Sequence, residues 1–249
     1  MSEYLQGSML NAVKIMLFCL TPWLAVALLM QALSSLLRTV IVRKIGTMPY
    51  VYLTAPGVIV HELSHAGFCL LFGHSITEMQ LFSPQEDGTL GYVSHQYNPR
   101  NLYHQIGNFF IGTGPIWGGA ALLWLLSCWL LPESVTAGDK SIPLQMLEFM
   151  KMFFTLSFWS SWQGWLWLYL AFTISLHITL SPPDLKGALA GFCFLLFLIL
   201  FCSLCFGWCG SWETLLIEGI LLAFGAVLPL FVLALLVLLM GLAILCAFR

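Results

Sequence analysis

Charged side chains are scarce in this sequence. Only 8% of its 249 residues are Asp, Glu, Lys or Arg, whereas 60% are hydrophobic, and the mean hydropathy is +0.93. Soluble globular domains carry about 25% charged residues. The composition therefore excludes an ordinary soluble domain and predicts an integral, multi-pass membrane protein embedded in the lipid bilayer.

A basic surface and a cysteine framework are missing as well. The nine Lys and Arg are scattered and the formal net charge is −2, which excludes the basic footprint of a nucleic-acid-binding protein. The eight cysteines lie almost entirely inside apolar runs, so they do not resemble the pattern of a disulfide-stabilised domain. We therefore expect any substrate or partner to be met in or beside the bilayer.

Long apolar runs dominate what remains. One crossing needs about 20 apolar residues, so the chain has room for about six transmembrane helices in a single membrane domain, and the predicted fold class is an all-α polytopic membrane protein. The predicted spans, in chain order, are Met9–Leu37, Met48–Phe72, Ile106–Leu131, Trp159–Leu180 (ending an apolar stretch that begins at Leu147), Leu185–Phe206 and Leu215–Leu245.

One polar segment, Gly73–Gln105, separates the second and third predicted spans. Within it, Asp87-Gly88 lies between Ile76–Phe82 and Thr89–Tyr97, two short runs rich in β-branched and aromatic residues. An Asp-Gly pair between such runs is typical of a tight turn that joins antiparallel strands. The sequence therefore predicts a small β-hairpin at the membrane surface.

The second predicted span contains an H-E-x-x-H motif, formed by His61, Glu62 and His65. Residues four apart lie above one another on a helix, so both imidazoles can reach one zinc ion while Glu62 projects toward a metal-activated water. Ionisable residues inside a membrane helix are costly unless they are paired, and they usually mark a site. The motif therefore predicts a catalytic zinc site within the bilayer.

A catalytic zinc site has three protein ligands and keeps the fourth position for water. The sequence offers six candidates for the third ligand, which are Asp184, His177, His95, His104, His74 and Glu78. Asp184 follows Ser181-Pro182-Pro183, where prolines break the helix between two apolar spans. From position alone, Asp184 is equally well explained as a polar residue that caps the fifth span.

The sequence resembles the site-2 protease family of intramembrane zinc metalloproteases. The resemblance extends over Met48–Phe206 and rests on three elements, namely His61-Glu62-Leu63-Ser64-His65 in an early span, Gly112-Thr113-Gly114-Pro115 at the start of a glycine-rich span, and Pro182 with Asp184 before Gly187 at a late helix break. The family pattern has Gly directly after the Asp, whereas two residues intervene here.

The resemblance implies a ligand set and a reaction. By similarity, His61, His65 and Asp184 bind the zinc ion and Glu62 is the catalytic base. The expected activity is that of a metalloendopeptidase, which uses a metal-activated water to hydrolyse peptide bonds in membrane-associated proteins, including transmembrane helices. Family members also carry surface strands that pair with the substrate, which agrees with the predicted hairpin.

Two other functions are compatible with the sequence. The main alternative is a scaffold or assembly subunit of a larger complex that binds zinc but does not cleave proteins. The chain contains no PDZ-like domain that would select substrates, so a protease of this kind would require a partner protein for substrate selection. A carrier that uses intramembrane His and Asp groups is the second alternative, although the spans show no inverted repeat. The carboxylate of Glu62 distinguishes these functions, because only the protease requires it as a base.

Overall fold

In the part of the chain that the computed structural model describes, the fold is mostly helical and has one two-stranded antiparallel sheet. The structure describes residues 27–131, 151–206 and 231–245, together with the single positions 10, 25 and 218. The helices are α1 (residues 27–45), α2 (Thr47–Leu53), α3 (Ala55–Leu71), α4 (Leu102–Gly112), α5 (Gly114–Leu130), α6 (Leu156–Ser160), α7 (Trp162–His177), α8 (Pro182–Phe206) and α9 (Phe231–Leu245), and the strands are β1 (Ser75–Gln80) and β2 (Tyr92–Gln96).

Two of the predicted spans are broken helices rather than single ones. The second span breaks at Thr54 and the third at Thr113, whereas the fourth predicted span, Trp159–Leu180, corresponds to one helix, α7, which begins at Trp162 and ends at His177. After Thr54 and Thr113, a proline occupies the first turn of the next helix. Proline is tolerated there because its missing N–H would have no partner in the helix anyway. The uninterrupted helices that hydropathy predicted for these segments are therefore wrong.

The ends of the first and fifth spans also differ from the prediction. Helix α1 continues past Leu37 to residue 45 and stops at Gly46, which has a φ of 88°, so the first span does not end at Leu37. Helix α8 begins at Pro182 rather than Leu185 and ends at Phe206, as predicted. The rest of the first span, the beginning of the sixth and the link Pro132–Gln145 lie outside the described residues.

Within the described residues, no single helix is both long and apolar enough to cross a membrane. Two bent helix pairs reach that length and composition together. They are α4 with α5, bent by 63°, and α7 with the first part of α8 (Pro182–Leu198), bent by 67°.

The predicted hairpin is confirmed, with shorter strands than expected. Ser75 pairs with Gln96 and Gln80 with Tyr92, and a bulge between Ile76 and Glu78 shifts the register. Residues 81–91 connect the strands, and Gly88 in this connection has a φ of 91°. The predicted strands were too long because the pairing beyond Gln80 is irregular, with hydrogen bonds from Ser83 to Leu90 and from Gln85 to Thr89.

Helix α7 runs through the middle of the hydrophobic core. Trp167 and Ala171 on this helix are fully buried in a cluster with residues of α1, α5 and α9. The indole N–H of Trp167 donates a hydrogen bond to Ser127 Oγ on α5 at 3.1 Å. Helices α3, α5 and α7 pack against one another, and α4 packs along α8. This packing brings the middle of α3 to the start of α8.

Candidate metal centre

The two histidines of the H-E-x-x-H motif point to the same place. His61 and His65 lie one turn apart on α3, and their Nε2 atoms are 3.2 Å apart. Their rings meet edge to face, with centroids 4.8 Å apart. His65 is only 7% exposed. Because residues four positions apart lie on the same face of a helix, the two Nε2 atoms come close together, as the motif predicted.

Asp184 completes this cluster from a different helix. Its Oδ1 lies 3.1 Å from His65 Nε2, and its Oδ2 lies 3.5 Å from His61 Nε2. Asp184 is the third residue of α8, and the Ser181 N–H and hydroxyl donate hydrogen bonds to its Oδ2 at 2.8 and 2.6 Å. Asp184 is therefore both part of the helix cap, which was the alternative explanation, and a neighbour of both histidines.

Backbone carbonyls fix the orientation of both imidazoles. His61 Nδ1 donates to the carbonyl oxygen of His177 at 2.8 Å, and His65 Nδ1 donates to that of Ile111 at 2.7 Å. With the proton on Nδ1, a neutral imidazole carries its lone pair on Nε2. Histidines that bind metals commonly donate their other ring N–H in this way, which sets the tautomer.

These contacts allow the fit of a metal ion to be tested. Two Nε2 lone pairs and one carboxylate face one another, and one potential ligand atom from each of His61, His65 and Asp184 lies within 4.8 Å of the others. Such an arrangement of acceptors is repulsive unless a cation or an added proton lies between them. Two imidazoles and a carboxylate form the donor set of one class of catalytic zinc sites. The residues present therefore fit a zinc ion.

Glu62 lies on α3 beside this cluster and is 7% exposed. Gly91, at the entrance to β2, packs against it so closely that an added methyl group would lie 2.8 Å from Glu62 Cγ. The same methyl group would lie 2.8 Å from the carbonyl oxygen of Gln80. The entrance to β2 therefore packs directly on the Glu62 side chain, and a side chain at position 91 would force one of these groups to shift.

The remaining candidate ligands lie elsewhere or serve the site differently. His177 supplies its carbonyl oxygen to His61, while its Nε2 is buried without a hydrogen-bond partner among the described residues. The hydroxyl of Tyr92 donates a hydrogen bond to the carboxylate of Glu78 in the hairpin. Of the described residues, only His61, His65 and Asp184 form a group of three that could hold a metal ion.

His74, His95 and His104 form a second cluster at the base of the hairpin. His74 Nδ1 lies 3.0 Å from His95 Nδ1, and His74 Nε2 donates to the carbonyl oxygen of His104 at 3.0 Å. Burial lowers the pKa of His74. Burial also lowers the pKa of His95, and the nearby His74 and His65 lower it further. This cluster joins β2 to the end of α3.

Three polar groups at the centre were not predicted from the sequence. They are the carbonyl oxygens of Ile111 and His177 and the hydroxyl of Ser181. The spacing of Ser181 and Asp184 matches a capping box, in which a Ser and an acidic residue three positions later bond reciprocally, so Ser181 was detectable. A carbonyl oxygen supplied by another helix leaves no signal in the sequence.

Comparisons of the chain with protein-family models, with curated proteins and with solved structures found no match. The geometry alone therefore defines the class of the site, a partly buried cluster of two imidazoles and one carboxylate beside the buried Glu62.

Proposed function

We propose that this chain is an intramembrane zinc metalloprotease similar to the site-2 protease family, which hydrolyses peptide bonds of membrane-associated protein substrates. The observation that supports the proposal is the convergence of His61 and His65 with Asp184 next to the buried Glu62. A three-ligand zinc site requires one further ligand beside the two histidines of the motif, and the carboxylate of Asp184 at the start of α8 lies within 3.5 Å of both.

The proposed membrane topology rests on composition and on the bent helix pairs. Hydrophobic side chains make up 60% of the sequence, and the two bent pairs contribute α4, α5, α7 and α8. We propose that the chain crosses the bilayer about six times and that the metal centre lies at membrane depth. Irregular backbone at this depth, such as the segment between α7 and α8, is tolerated where it lines a cavity.

The residues at the centre have separate roles in the proposed reaction. His61, His65 and Asp184 would hold the zinc ion, which supplies Lewis acidity toward a peptide carbonyl and a water molecule. The Glu62 carboxylate accepts a proton from the attacking water and then passes it to the leaving amine. The carbonyl oxygens of Ile111 and His177 keep both imidazoles in the required tautomer.

The hairpin is the proposed holding site for the substrate. A hydrogen-bonded helix shields its carbonyls from attack, so a transmembrane substrate must unwind locally before hydrolysis. An unwound segment can pair with the edge of an exposed strand through main-chain hydrogen bonds. The close packing of Gly91 on Glu62 supports this role, because it sets the start of β2 directly beside the proposed base.

The test compares wild type with Glu62→Gln in lipid vesicles. The readouts are bound zinc and cleavage of a panel of fluorescently labelled single-span proteins incorporated into the same vesicles. Glu62→Gln removes the base but none of the proposed ligands, so we expect zinc to remain while cleavage falls by about 100- to 10,000-fold. A zinc-loaded wild type that cuts no substrate, or a Glu62→Gln variant that cuts equally well, would contradict the proposal and favour a scaffold.

A further inference from the structure

The two carboxylate oxygens of Asp184 have different surroundings. Oδ2 accepts hydrogen bonds from the backbone N–H and the hydroxyl of Ser181, at 2.8 and 2.6 Å. Oδ1 has no such donor from Ser181 and lies 3.1 Å from His65 Nε2. Oδ2 is thus held by the start of α8 and lies 3.5 Å from His61 Nε2, whereas Oδ1 has no bond to Ser181 and faces His65.

The sequence around Ser181 makes this arrangement rigid. Pro182 and Pro183 follow Ser181, so the first N–H of the helix belongs to Asp184, and it donates to Ser181 Oγ at 3.4 Å. The carbonyl oxygen of Ser181 accepts the N–H of Leu185 at 3.0 Å. Proline rings also fix two φ angles of the turn. The carboxylate therefore has little freedom to rotate away from the histidines.

Capping boxes usually serve only the helix, and their acidic side chain bonds back to the cap residue. Here the same side chain lies within 3.5 Å of His61 and His65, which no cap requires. Ligating carboxylates are typically oriented by hydrogen bonds from a second group, and removal of that group weakens metal binding.

We infer that Ser181 is the positioning residue of the metal centre, because it holds Oδ2 of Asp184 and so presents Oδ1 to the ion. The inference rests on the proposed function, since it requires a metal ion between His61, His65 and Asp184. In this role Ser181 is neither a ligand nor a catalytic residue. Its hydroxyl acts through the carboxylate of Asp184.

The chain provides a matched control at the start of α7. Ser161 caps that helix, and its hydroxyl accepts the N–H of Gly164 at 3.1 Å. The residue three positions after this cap is a glycine, so Ser161 orients no carboxylate. Replacing either serine with alanine removes a helix cap, but only the replacement of Ser181 also releases a proposed ligand.

The experiment measures Zn²⁺ affinity by competition with a chromogenic chelator in purified wild type, Ser181→Ala, Ser181→Thr and Ser161→Ala. We expect Ser181→Ala to bind Zn²⁺ about 10- to 100-fold more weakly. Ser181→Thr keeps a hydroxyl and should restore wild-type affinity, and Ser161→Ala should match wild type. Co²⁺-loaded samples provide a second readout, because a displaced carboxylate changes the visible absorption bands of the ion.

The outcomes separate this inference from the proposed function. A wild type that binds neither Zn²⁺ nor Co²⁺ overturns both. If wild type binds zinc and Ser181→Ala binds it as tightly as Ser161→Ala does, the proposed zinc site is supported and the positioning role of Ser181 is contradicted. Should Ser181→Ala fail to fold, Ser181→Gly replaces it, because glycine is tolerated at helix caps and also lacks the hydroxyl.

Discussion

His61 donates a hydrogen bond from Nδ1 to the backbone carbonyl oxygen of His177 at 2.8 Å, across 116 positions of the chain. Helix α7 therefore sets the orientation of an imidazole on α3. The helices approach this closely because Gly57, one turn before His61, packs directly on the Thr173 carbonyl and the His177 ring. This contact makes the geometry of the metal centre dependent on a glycine that bears no functional group.

Gly57→Ala is expected to destabilise the protein and weaken zinc binding. An added methyl group would lie 2.7 Å from Cδ2 of His177, so α7 must move away from α3. Overpacking of this kind costs about 1–3 kcal/mol of unfolding free energy. The thermal midpoint in detergent and the zinc affinity should both fall. Gly67→Ala is the control, because no atom lies within 4 Å of its added methyl group, and equal behaviour of the two variants would contradict the account.

Gly91→Ala is expected to impair cleavage without removing zinc. The added methyl group would collide with Glu62 Cγ and the Gln80 carbonyl oxygen, so either the proposed base or the start of β2 must shift. Small displacements of catalytic groups cost up to about 100-fold in rate. Bound zinc and cleavage rate are measured on the same sample. Unchanged cleavage would show that the hairpin does not need its close contact with Glu62.

Acidification is expected to loosen the hairpin. The pKa values of His74 and His95 in the folded protein are lowered below the ordinary value of 6.5. At a pH between the folded and the unfolded pKa values, these histidines therefore bind more protons in the opened hairpin than in the folded one. The free energy of opening the hairpin must therefore decrease as pH falls through about 6.5. At acidic pH, both Nδ1 atoms would carry protons and repel each other.

Hydrogen exchange of residues 75–96 tests this pH dependence. Protection, corrected for the intrinsic pH dependence of exchange, should fall between about pH 7.5 and about pH 5.5. His95→Gln, which does not titrate, should show a smaller pH dependence at the same amides. A wild-type hairpin whose corrected protection is constant over this range would contradict the role of the histidine pair.

Removal of metal is expected to destabilise the wild type specifically. Without an ion, the lone pairs of His61 and His65 face the carboxylate of Asp184 at distances of 3.1–3.5 Å. A ligand that binds only the folded state contributes about 2.7 kcal/mol when its free concentration is 100 times Kd. Excess chelator should therefore lower the thermal midpoint of wild type and leave that of Asp184→Ala unchanged. Equal shifts in both proteins would place the bound zinc elsewhere.

The features encoded by local spacing could be predicted from the sequence. The convergence of His61 and His65 follows from the helical repeat, and the hairpin follows from Asp87-Gly88 between two β-prone runs. The helix breaks at Thr54 and Thr113 were missed, because apolar residues on both sides give one continuous hydropathy signal. Whether a helix continues through such a residue depends on its hydrogen bonds, such as the cap that Ser161 provides for α7.

The contacts that residues distant in sequence make with the histidine motif were harder to predict. Position alone left Asp184 balanced between a ligand and a helix cap, and only the family resemblance favoured the ligand. Its contacts include those of a helix cap, since Ser181 holds one oxygen, and the other oxygen lies near His65. The close packing of Gly91 on Glu62 depends on how the hairpin folds back on α3, which no local pattern specifies.

Zinc content shows whether residues of α3 and α8 bind one ion together. We would measure metal stoichiometry in purified wild type, His61→Ala and Asp184→Ala, because these residues contribute ligands from α3 and from α8. A site formed by His61, His65 and Asp184 predicts about one zinc ion per wild-type chain and loss of the ion in both variants. A zinc-free wild type, or an Asp184→Ala variant that retains full zinc content, would contradict it.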